Sequence, residues 1–69
     1  MGARSENSQA ITITATFNES QAWLYAQFLK RVTFHDYRSR AMSDEEAYVM
    51  LAAGELIRDA LREKGLAPR

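Results

Sequence analysis

A mainly helical chain with one N-terminal β-strand, in the order β-α-α-α, is the fold class that three features of this 69-residue sequence predict. One short run alternates apolar and polar residues at period two. Two longer runs place apolar residues at helical spacing, and capping signatures mark where each helix starts.

The alternating run is "ITITATF", residues 11–17. Ile11, Ile13, Ala15 and Phe17 alternate with Thr12, Thr14 and Thr16, so in a strand one side is apolar and the other hydroxylated. Neither a hairpin turn nor a second β-rich run accompanies it, which leaves its backbone groups unpaired within the chain. The expected partner is the same strand of a second copy, antiparallel about a two-fold axis, with Ile11, Ile13, Ala15 and Phe17 forming the dimer strand. The alternative is an extended segment lying on the helices of its own chain. Residues 1–10, "MGARSENSQA", are small and polar without periodicity and read as a flexible arm, so residues 11–69 form the single domain.

Asn18 is placed as a helix N-cap, with Glu19 in the first turn and Gln21 at the reach-back position of a capping box. At 100° per residue, Ala22, Leu24, Tyr25, Ala26, Phe28, Leu29 and Val32 fall on one broad face. Trp23 departs from it, beside Gln27 and Lys30. The apolar phase breaks near residue 33, where Thr33 can cap a short helix carrying Phe34, Tyr37 and Ala41. "SDEE" then reads as a second capping box, Ser43 being the N-cap and Glu46 the reach-back residue. The last helix runs to about Lys64, with Gly65 at its C′ position and Pro68 beyond. Its expected apolar face is Val49, Met50, Ala53, Leu56, Ile57, Ala60 and Leu61.

Composition limits the chemistry. No cysteine and a single histidine leave no disulfide framework, thiolate site or common zinc cluster, so no cofactor or metal is expected. His35 and Asp36 are adjacent and diverge on a helix, and no nucleophile sits in a recognisable catalytic context, so the expectation is a protein that is not an enzyme. The three acids of "SDEE" point in three directions and suit a cap better than a cation. No signal peptide and no apolar run of membrane length are visible, which predicts a cytoplasmic protein without membrane contact. Nine basic and nine acidic residues cancel, so any nucleic-acid binding must come from a local patch. Lys30, Arg31, Arg38 and Arg40, with Tyr37 among them, are the one basic run.

A strand with an outward row of hydroxyls, followed by helices, resembles the ribbon-helix-helix repressors, whose paired strands enter the major groove. That resemblance implies Thr12, Thr14 and Thr16 as the base-facing residues, and Arg38 and Arg40 of the basic run complete the candidate DNA-facing set. The chain departs from the pattern in two ways. About ten residues separate the helices instead of a short turn, and Asp44, Glu45 and Glu46 occupy the helix end that such repressors turn to phosphate. The stretches "AWLYAQFLKRVTFHDYR" and "DEEAYVMLAAGELIRDAL", with the terminal "GLAPR", are similar to small uncharacterised proteins of proteobacterial genomes and mobile elements. This likeness implies a bacterial cytoplasmic setting and no nameable enzymatic activity.

Together these features predict a non-enzymatic homodimer that binds another macromolecule, a protein in preference to DNA. The alternative is a DNA-binding transcriptional regulator. Trp23, Gln27, Lys30 and Arg31 are the candidate partner-binding residues, a tryptophan with a charged rim being the composition of an interface hot spot.

Overall fold

The computed structural model describes residues 9–68. Three helices follow one another, α1 (Glu19–Arg31), α2 (Phe34–Arg38) and α3 (Asp44–Glu63). Their boundaries are set by local hydrogen bonds. Asn18 Oδ1 accepts from Gln21 N–H at 2.8 Å while Gln21 Oε1 accepts from Asn18 N–H at 3.0 Å, a closed capping box at the head of α1. Val32 turns extended (φ −66°, ψ 138°) and stops that helix. Thr33 and Asp36 repeat the device at α2, with Thr33 N–H donating to Asp36 Oδ2 at 2.9 Å and Asp36 N–H to Thr33 Oγ1 at 3.3 Å.

At α3 the cap differs in detail from the expected box. Ser43 Oγ accepts from Glu46 N–H at 3.1 Å, but the Glu46 carboxylate accepts from the N–H of Met42, one residue further back than the N-cap. The far end closes as a Schellman motif: Leu66 N–H donates to Leu61 C=O at 3.0 Å, Gly65 N–H donates to Arg62 C=O at 2.9 Å, and Gly65 takes φ 90°. Leu66 then packs against the core, the hydrophobic contact that accompanies such ends. Ser43→Ala should therefore destabilise the fold by about 1 kcal/mol through the lost cap. His35→Ala, at an exposed position, should stay within about 0.5 kcal/mol, and urea unfolding followed by circular dichroism reads both.

The expected β-α-α-α order is corrected to three helices, because residues 9–18 lie in neither helix nor strand. The period-two alternation is a property of side chains, whereas a strand exists only where a neighbour takes up its backbone groups. Within the chain no such neighbour stands beside Ile11, Ile13, Ala15 and Phe17, and the described residues contain no strand. Ile11 is 84% exposed and Ile13 79% exposed. Residues 1–8 of the expected N-terminal arm lie outside the described residues.

Helices α1 and α3 run antiparallel: Leu29 near the end of α1 lies by Gly54, while Ala22 and Ala26 near its start cluster with Leu61. Among the described residues the buried ones are Ala22, Ala26, Leu29, Ala47 and Leu61, three of them alanines. This core is narrower than the apolar faces in the sequence. On α1, Leu24 is 66% and Phe28 52% exposed. On α3, Ala47, Leu51, Gly54, Arg58 and Leu61 are the inward positions, spaced four and three apart. Val49, Ala53, Leu56 and Ala60, assigned to the core face from the sequence, point outward on a second row of the same spacing.

Candidate functional site

The five-residue α2 is fastened to α3 at three points. The Arg38 guanidinium bonds the Asp44 carboxylate and also donates to Ala41 C=O at 3.1 Å, closing the turn between the helices. Phe34 and Tyr48 pack with ring centroids 4.5 Å apart. Tyr37 lays its phenol directly over Gly54, so near that a methyl group at position 54 would overlap its oxygen. Burial holds the Tyr37 hydroxyl above the ordinary tyrosine pKa, with Tyr25 and Glu55 adding to the effect.

Held in this way, α2 forms one wall of a groove of about 650 Å³ against the second half of α1. Phe28, Val32 and Met50 give it an apolar lining, and Arg31, Asp36 and Arg40 give it charge. A neighbouring trough of about 520 Å³ is lined by Phe17, Leu24, Tyr25 and Phe28 and is almost wholly apolar. Three of those rings form a run: Phe17 to Tyr25 at 6.2 Å, tilted, and Tyr25 to Phe28 at 5.6 Å, near parallel at 14°.

The Asp36 carboxylate at the head of α2 has a lowered pKa. The Thr33 backbone N–H, then the Thr33 hydroxyl, and last the nearby His35 hold it below the ordinary aspartate value. Because the folded value is the lower one, the stabilisation is complete above the unfolded-state pKa and is lost as pH falls through the folded-state pKa. Acid titration should therefore loosen the start of α2 ahead of the rest. The Thr33 amide shift, followed by NMR, should move with the Asp36 carboxyl, and Asp36→Asn should abolish that step.

The four candidate partner-binding residues separate. Gln27 and Arg31 line the groove, joined to each other by a 2.6 Å bond from Arg31 Nη2 to Gln27 Oε1. Trp23, 39% exposed, and the exposed Lys30 lie round the helix and take no part in the lining. Of the residues implied by the repressor resemblance, Thr12, Thr14 and Thr16 are exposed on the non-strand segment, Arg38 is engaged with Asp44, and Arg40 lines the groove. Helical spacing alone assigns Phe28, Val32 and Met50 to the core and not to a lining. The signal that could have located the groove is the phase break at residue 33, since a helix that stops there and turns leaves its last apolar turn uncovered. Among the described residues no set of three or more His, Cys, Asp or Glu side chains could hold a metal ion, and no helix is long and apolar enough to cross a membrane.

No curated protein and no solved structure matches the chain. One family model does so over residues 1–69, the whole length, and on that match the chain belongs to a family of unknown function, DUF7706.

Proposed function

We propose that the protein carries out no chemistry of its own and acts by binding another protein at the groove between α1 and α2. The observation that carries this reading is the composition of the groove, where Phe28, Val32 and Met50 offer apolar contact and Arg31 and Arg40 stand beside them. An apolar pocket next to arginine is the usual make-up of a protein-interaction hot spot. The matching partner is a protein segment that presents an apolar side chain close to an acid. Nearby polar groups with catalytic potential are already engaged: Asp36 caps α2 through Thr33, and Arg38 is tied to Asp44.

A protein fits this surface better than DNA does. The chain has zero formal charge, one cation of its basic run is paired within the chain, and Asp44, Glu45 and Glu46 hold the N-terminus of α3 against phosphate. Capture from a lysate of the source cells, with nuclease and across a salt series, tests the reading. Arg40→Glu is expected to reduce retention of the captured protein at least tenfold. Retention that disappears with nuclease and falls steeply with salt would instead establish nucleic-acid binding. Retention unaltered by both Arg40→Glu and Val32→Asp would remove the groove from the binding site.

A further inference from the structure

We propose that the open face of the helical layer is a two-fold interface between two copies of this chain. The first ground is exposure. The antiparallel α1 and α3 lie side by side as a slab, and on it Tyr25 and Ile57, next to the buried seam, remain 39% and 38% exposed and Phe28 52% exposed, so the described residues leave that side of the pair partly uncovered.

The second ground is the placement of the uncovered residues. With α1 and α3 antiparallel and side by side, the 100° step carries Tyr25 and Phe28 of α1 and Ala53 and Ile57 of α3 to the same side of the slab. Leu24, Val49 and Leu56 continue that surface toward its edges. The exposed parts of the larger side chains, taken as half of roughly 200 Å² each, come to roughly 600 Å² per copy. With the alanines and backbone between them, the face approaches the ~800 Å² per partner of a stable interface.

The third ground identifies the occupant. A core of three alanines and two leucines leaves the fold marginal on its own, so the most effective cover for the face is one that is present whenever the chain is folded. A second copy meets that condition at once. The face is apolar and needs no opposite charge, and a chain of zero formal charge does not repel its copy.

Sedimentation velocity of the full chain at tens of micromolar tests the proposal; Leu24 and Phe28 of this face also line the α1–α2 groove, so the two variants are made at Leu56 and Tyr25, which do not. The wild-type protein is expected to sediment at twice the chain mass. Leu56, 72% exposed in the single chain, can become glutamate without disturbing that chain, so Leu56→Glu should sediment as a monomer with its helical circular dichroism retained when measured where the monomer folds. Tyr25→Glu should do the same from the α1 side. Some loss of helix on dilution of the wild type, in step with dissociation, is expected too. A wild-type monomer at these concentrations, or a Leu56→Glu protein that remains a folded dimer, overturns the proposal. Either result leaves the capture experiment at Arg40 to decide the binding role separately.

Discussion

Leu29→Ala should remove most of the stability of the chain, lowering the melting temperature by more than about 10 °C or abolishing the cooperative transition. Leu29 is buried where α1, α2 and α3 meet, near Gly54 and in the cluster with Ala22, Ala26 and Leu61. Its neighbours in that cluster include two alanines, which have no side-chain reach with which to fill the space it would leave. Leucine-to-alanine changes at such sites cost ~2–5 kcal/mol, the upper part of the range applying where the surroundings cannot collapse. A domain of this size has ~3–10 kcal/mol in total. Each kcal/mol is worth about 4–8 °C at this length, which gives the expected shift. Leu24→Ala is the internal comparison. In the single chain that side chain is mostly exposed and its loss should cost under about 0.5 kcal/mol. A larger cost for Leu24→Ala that grows with protein concentration would report burial between copies and not within one. A loss below about 1 kcal/mol for Leu29→Ala would show that the α1–α3 contact is not where the chain is held together.

The helix starts were legible because capping is local chemistry. Asn18 with Gln21 and Thr33 with Asp36 need only residues three apart and no tertiary information, and the structure closes both pairs as boxes. Ser43 caps α3 for the same reason, while the reach of Glu46 to Met42 depends on how the preceding turn approaches, which residue spacing does not specify. The strand at residues 11–17 failed on the opposite ground. Alternation records which side chains share a side, but strand formation depends on a second segment, and nothing local supplies one.

The apolar faces show an intermediate case. Helical periodicity marked Leu24, Phe28, Val49 and Leu56 as members of apolar stripes, and so they are. It could not mark which half of a wide stripe meets the neighbouring helix. On α3 two rows of three-four spacing lie side by side, and the row that turns inward contains Gly54 and Arg58, the less apolar of the two by composition. Close approach decided it. Gly54 admits the Tyr37 ring, and no residue of the outer row offers that space. The groove between α1 and α2 follows from the same choice, since α2 is held where Tyr37 can lie on Gly54.

Gly54→Ala tests that choice directly, and its effect should change sign with the residue at position 37. In an unconstrained helix interior, alanine for glycine stabilises by about 1 kcal/mol. Here the new methyl would overlap the Tyr37 oxygen and stand 3.3 Å from Cζ, with Leu29 Cδ2 at 3.7 Å. The ring must therefore tilt away from α3, and forcing an atom into such a contact costs ~1–3 kcal/mol. The expected outcome is a net loss of stability together with release of the start and end of α2, read as faster amide exchange at residues 34–38. Tyr37→Phe removes the clashing oxygen and leaves the 3.3 Å contact, which a shift of a few tenths of an ångström relieves, so Gly54→Ala in that background should be neutral or stabilising. The coupling between the two sites should reach about 1 kcal/mol or more, above the ~0.5 kcal/mol within which independent sites add. Ultraviolet titration gives a second readout. Burial raises the Tyr37 pKa, so the stability that depends on its neutral phenol is complete below the unfolded-state value and is lost as pH rises through the folded one. With the ring displaced in the Gly54→Ala protein, that titration should return to the ordinary tyrosine range. Additive effects at positions 54 and 37, with the tyrosine titration unmoved, would mean that Tyr37 does not rest on Gly54 and that α2 is held by its Arg38 and Phe34 contacts alone.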